Sequence, residues 1–134
     1  MFECTDNFRT GIKFMDEEHE KLFELANETY YVLKDQFISD KYDDIVYVLN
    51  ELRDYAKYHF KHEEEFMEEI TYKRRFNHLV AHENFIKKLD DYDFVNIDMN
   101  QQEILMDMVE FLVDWLEKHI AGVDMEIAKS LNEK

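Results

Sequence analysis

The stretch HFKHEEEFM, residues 59–67, opens with two histidines and three glutamates in seven consecutive positions. Upstream of it Ile45, Val48, Leu49, Leu52 and Tyr55 recur at the three- and four-residue spacing of one helix face, and His59, Glu63 and Met67 continue the same line. The pattern predicts one long helix over about 40–69, started by Ser39-Asp40, with an imidazole and a carboxylate one turn apart on its buried side. A buried carboxylate is costly unless it meets a cation or a metal, so the rest of the chain decides what this helix faces.

Three more amphipathic stretches flank it. His19, Leu22, Phe23, Ala26, Tyr30 and Leu33 share one stripe of a helix over about 16–37. His78, His82, Phe85 and Leu89 mark a third over about 73–90, and Ile104, Met108, Phe111, Leu112, Trp115 and His119 a fourth over about 100–121. Between the last two, DDYDFVNIDMN reads as a polar connection, and after Gly122 only a short terminal helix, about 123–131, fits. Residues 1–15 read as an N-terminal arm with a turn at Gly11. The expectation is all-α: an antiparallel up-down-up-down four-helix bundle forming a single domain over 1–134, since short connections place successive helices side by side.

Composition narrows the function. The 134 residues include two glycines, no proline and 32 acidic against 16 basic residues, a formal net charge of -16. Such a chain is repelled by nucleic acid and by anionic membranes, and the charge favours a monomer. No apolar run approaches the roughly 20 residues of a membrane span. The opening MFECTDNFRTG has neither the basic nor the apolar region of a signal peptide, and Cys4 is the single cysteine. A cytoplasmic location is expected, with Cys4 as a small packing residue.

Five of the six histidines, His19, His59, His78, His82 and His119, lie on apolar stripes of four different helices. Facing one axis, they would leave many polar nitrogens desolvated together, at a cost on the order of 1 to 3 kcal/mol for each unsatisfied group. Spacing groups them further. His59 and Glu63, and His78 and His82, are i,i+4 pairs about 40° apart around their helices. His119 and Asp124 are five apart, about 140° on a continuous α-helix, and Gly122 between them is expected to end the helix and turn Asp124 back toward the axis. No lysine or arginine shares these stripes, which leaves metal. Seven donors exceed what one ion takes, and two carboxylates can bridge, so a dinuclear site is the economical count. Structural zinc prefers four closed ligands; iron accepts mixed nitrogen and oxygen donors at higher coordination number.

The stretches GIKFMDEEHEKLF, HFKHEEEFM, HLVAHENF and WLEKHIAGVD together resemble the hemerythrins, in particular their single-domain bacterial members, over nearly the whole chain. The resemblance implies a four-helix bundle that binds dioxygen reversibly at a non-haem di-iron centre with an oxo or hydroxo bridge. It implies that His78, His82 and His119 ligate one iron, His19 and His59 the other, and that Glu63 and Asp124 bridge. The two-histidine iron keeps an open position, where dioxygen binds end-on as hydroperoxide, lined by Leu22, Phe23, Trp115 and Leu116. Cys4 and Lys73 depart from the family's usual tryptophan and proline. His62 matches no ligand position and is expected to be solvated or to stand behind a ligand.

A carrier, storage or delivery protein is expected rather than an enzyme. The residues three before each histidine are Asp16, Ala56, His59, Arg75, Leu79 and Leu116, so the E-x-x-H motif of ferritin-like oxidases is missing. The alternative use of the same site is a di-iron oxygen or redox sensor, or a peroxidase or nitric oxide-handling enzyme. Any oxygen-consuming or signalling partner would be a separate chain.

Overall fold

Asp16 sets where the first helix begins. In the structure, a computed structural model describing residues 5–132, its carboxylate accepts from Thr10 N and Thr10 Oγ1 at 2.8 Å and from Gly11 N at 3.1 Å. Asp16 therefore anchors the arm from inside the first turn, and α1 runs Lys13–Lys34 rather than 16–37. Gly11 sits at φ +84°, the left-handed conformation that the turn into α1 requires. At the other end Asp35 turns extended and accepts from Phe37 N, ending the helix three residues before the sequence suggests. Cys4 lies outside the described residues.

The remaining elements are α2 Tyr42–Glu69, α3 Arg75–Asp90, α4 Phe94–Met99, α5 Gln101–Lys118, a π-helical turn His119–Asp124, and α6 Met125–Asn132. A short 3-10 turn, Asp6–Phe8, precedes α1. α2, α3 and α6 each start two residues later than the sequence suggests. α2 starts at Tyr42 because Asp40, just outside it, accepts from Tyr42 N and from the Gln101 side chain. α3 starts at Arg75 because Thr71, at φ +53°, reverses the chain first.

The expected polar connection between α3 and α5 contains a helix. Asp93 caps α4 by accepting from Val95 N, and Ile97 is fully buried, so one apolar anchor and one capping carboxylate order an otherwise polar segment.

α1, α2, α3 and α5 form the four-helix bundle. α1 packs on α2 and α5, and α2 packs on α3. Phe85 closes the ring between α3 and α5 through contacts with Phe111 and Trp115. The main core, Leu22, Leu52, Phe60, Phe85, Leu105 and Leu112 among others, fills most of its length. A second small cluster, Met15, Met67 and Ile127, closes the end near α6. Met15, His19 and Leu22 follow one another along α1, and Phe60, Glu63 and Met67 along α2, so a polar layer lies sandwiched between two apolar ones. Among the described residues no helix is long and apolar enough to cross a membrane.

Candidate metal centre

That polar layer collects all seven predicted donors. α1 contributes His19, α2 His59 and Glu63, α3 His78 and His82, and the π turn His119 and Asp124; none is more than 5% exposed. Donor atoms fall into two overlapping groups, each within 4.8 Å: Glu63, His78, His82, His119 and Asp124, and His19, His59, Glu63 and Asp124.

The carboxylates join the groups. Glu63 Oε1 lies 2.7 Å from His78 Nε2 and 3.2 Å from His82 Nε2, while its Oε2 lies 3.0 Å from His59 Nε2 and 3.9 Å from His19 Nε2. Asp124 Oδ1 faces His78 at 2.7 Å and His119 at 3.1 Å, and its Oδ2 faces His19 at 3.0 Å. Each carboxylate thus offers one oxygen to a three-histidine half and the other to a two-histidine half.

Asp124 reaches this position differently from the sequence expectation. Gly122 does not end the helix: its φ is not positive, and the chain passes through His119–Asp124 as a π-helix. An i→i+5 turn holds one extra residue, which brings a side chain five positions on to the same face.

His78 Nε2 and Asp124 Oδ1 are hydrogen-bonded at 2.7 Å, but most of the other donor atoms are left without an aligned partner. Buried His19 Nδ1 and Nε2, both Glu63 oxygens, His82 Nε2 and His119 Nε2 have no aligned hydrogen bond, although partners stand at 2.7 to 3.9 Å from most of them. Orphaned buried polar atoms are rare and costly, and misaligned nitrogen and oxygen lone pairs are what a cation between them satisfies. The residues therefore fit a metal site.

Charge tells the same story. Burial alone would raise Glu63, yet the nitrogens of His19, His59, His78 and His82 facing it hold it well below the ordinary carboxylate range. Asp124 is likewise lowered: burial and the Glu63 charge push it up, and His119 and His19 outweigh them. The imidazoles move oppositely. Burial would lower His59, but Glu18, Glu63 and Asp124 hold it up at about 10; His78, beside Asp124 and Glu63, stands at about 9, and His19 is also raised. Two buried carboxylates call for positive charge here, as protons or as metal.

Two functional side chains carry no spacing signal in the sequence. Glu18 Oε1 lies 2.7 Å from His59 Nδ1, and Glu64 Oε2 lies 2.8 Å from His82 Nδ1. Both sit next to a predicted ligand, in EEH and HEEE, but nothing marks them out from the neighbouring glutamates until α1, α2 and α3 are packed. His62, half-exposed, has its Nδ1 2.7 Å from Glu18 Oε2.

Leu22, Phe23 and Leu116 are buried in the main core. Trp115 is partly buried against the same core. Its ring stacks on His119 at 4.1 Å and 14°, and Phe60 stacks on His82 at 3.9 Å and 6°, so both aromatics cover the three-histidine half. α5 carries Trp115 one turn before His119, which directs the indole onto that ring.

The sequence model described as the hemerythrin HHE cation binding domain matches residues 10–131. A bacteriohemerythrin of Clostridium acetobutylicum is 42% identical over 126 residues, 94% of this chain and 98% of the relative. Bacteriohemerythrins of Pseudomonas aeruginosa and Aquifex aeolicus are similar at 31% over 120 residues and 29% over 126; these cover 89% and 93% of this chain, and 74% and 93% of the relatives.

Proposed function

The chain belongs to the hemerythrin family, and on that premise we propose that its seven buried donors hold two iron ions at which dioxygen binds reversibly. In this reading His78, His82 and His119 take one iron, His19 and His59 the other, and Glu63 and Asp124 span both. Bound there, the iron pair supplies the two electrons that dioxygen takes up and recovers them on release.

The protein's own part is to hold, orient and exclude. Glu63 and Asp124, each with an oxygen on either half, fix the spacing and balance the charge of two cations in a dry layer. The two-histidine half has one protein donor fewer, so a small ligand enters on that side. Leu22, Phe23 and Leu116 keep water and stray protons away from it, which favours return of dioxygen over loss of reduced oxygen species. Storage or delivery of dioxygen, rather than turnover, is the use that follows.

The observation carrying this reading is the sharing of Glu63 and Asp124 between two donor groups. A single closed zinc site needs only four ligands. The test is an iron count with visible spectra of the reduced protein before oxygen, after oxygen and after purging with inert gas. Two irons per chain and a colour that bleaches on purging and returns on re-exposure are expected. A one-way change to the diferric form would overturn the carrier reading in favour of a redox enzyme or sensor.

A further inference from the structure

We infer that Glu18 and His62 are positioning residues for the two-histidine half: Glu18 fixes the His59 ring for metal binding, and His62 fixes Glu18. The inference rests on the di-iron reading above.

Glu18 is a carboxylate with its side chain 9% exposed, and both its oxygens are engaged, Oε1 with His59 Nδ1 and Oε2 with His62 Nδ1, each at 2.7 Å. A carboxylate can only accept, so the His59 ring proton sits on Nδ1. Its Nε2, 3.0 Å from Glu63 Oε2, is then the nitrogen left to face a metal. A carboxylate behind an imidazole also makes the ring a stronger donor to a metal.

His62 is one turn after His59 on α2, and its side chain is 41% exposed. Phe14, four residues before Glu18 on α1, stacks on the His62 ring at 4.1 Å and 29°. The ring is thereby held against α1 with its Nδ1 facing the second oxygen of Glu18. Without it, that oxygen would turn toward solvent and Glu18 would be free to rotate away from His59. On the other half Glu64 alone stands behind His82; the two-histidine half has a carboxylate clamped from both sides.

The experiment compares iron-loaded full-length parent, Glu18→Gln, His62→Ala and His62→Gln. It reads iron affinity by competition with a chelator and the reduction potential of the centre, with melting of the iron-stripped chains as a fold check. Glu18→Gln keeps the shape and loses the charge: iron should bind about 10–100-fold more weakly, the usual effect of removing such a partner. The potential should also move upward, because less electron density reaches the ferric ion. His62→Ala should weaken binding in the same direction, and His62→Gln, whose amide can donate to Glu18, should restore most of it. A merely structural role would change melting and leave the potential in place. Parent-like affinity and potential in Glu18→Gln, or equal behaviour of the two His62 variants, overturns the inference. Fewer than two irons in the parent overturns the reading beneath it as well, so the two failures are distinguishable. Should Glu18→Gln not fold, the His62 pair decides.

Discussion

His119 Nε2 and Asp124 Oδ1 stand 3.1 Å apart although five residues separate them, because the backbone between them winds as a π-helix. Gly122 lies within that turn at non-positive φ, and a Cβ added there would meet nothing within 4 Å. Gly122→Ala should therefore fold, keep two irons and melt at or above the parent temperature, since alanine gains up to about 1 kcal/mol over glycine inside a helix. A chain break at Gly122 would give the opposite result, a loss of stability and of the Asp124 side of the site. Thermal melting and iron analysis of the variant separate the two.

Three consecutive glutamates of α2 face three environments: Glu63 is fully buried between the two halves, Glu64 is bonded to His82, and Glu65 is exposed. Their alanine variants should rank accordingly. Glu63→Ala removes an oxygen from both halves and should leave less than one iron per chain. Glu64→Ala should retain two irons at an affinity lowered about tenfold or more. Glu65→Ala should match the parent, and iron analysis after dialysis against a weak chelator orders the series.

The helices and inward donors were legible because both follow periodicity: a ligand at i and i+4 on an apolar stripe can face only the core. Three features were not. The π turn at His119 leaves no periodic mark, since glycine is compatible with a break and with a helix. Glu18 and Glu64 act across helix pairs, and their orientation depends on how α1, α2 and α3 are rotated against one another. Trp115 shares an apolar stripe with His119, but an indole one turn before a donor can lie over either half of the centre, and its stack on His119 follows only from the packed helices.

Protons and iron compete for the same atoms, which sets the pH dependence. Without iron, His59 is raised to about 10 and His78 to about 9, so their stabilising contribution is fully present below about pH 6.5 and is lost as pH rises through 9 to 10. Glu63 and Asp124 are lowered, so theirs is present above the ordinary carboxylate range and lost as acid reaches their folded values. Iron-stripped protein should melt highest near pH 5 to 6.5, with the midpoint falling toward pH 10. Loading requires neutral imidazoles and so expels at least the His59 and His78 protons. Near pH 7, the overall affinity for the iron pair should rise about 100-fold per pH unit, one proton's worth on each half. Proton release in weakly buffered solution checks the count, and a value near zero would contradict it.

Leu116, 1% exposed and one turn before His119, packs into the core beside the histidine layer with no polar atom to offer. Asparagine there has nearly the same size, but its amide would lack partners in that core and would draw water in to satisfy itself. On the proposed function, water near the two-histidine half would supply the proton that lets reduced oxygen leave instead of returning its electrons. Leu116→Asn should therefore keep two irons and convert to the diferric form faster, on the order of tenfold, which corresponds to only about 1.4 kcal/mol of barrier. Leu116→Ile, apolar and of equal volume, should decay at the parent rate. The decay of the oxygenated spectrum in air, followed for all three proteins at one temperature and pH, measures the ratio. Equal rates in the asparagine variant and the parent would mean that water exclusion at Leu116 does not govern the lifetime of the oxygenated state.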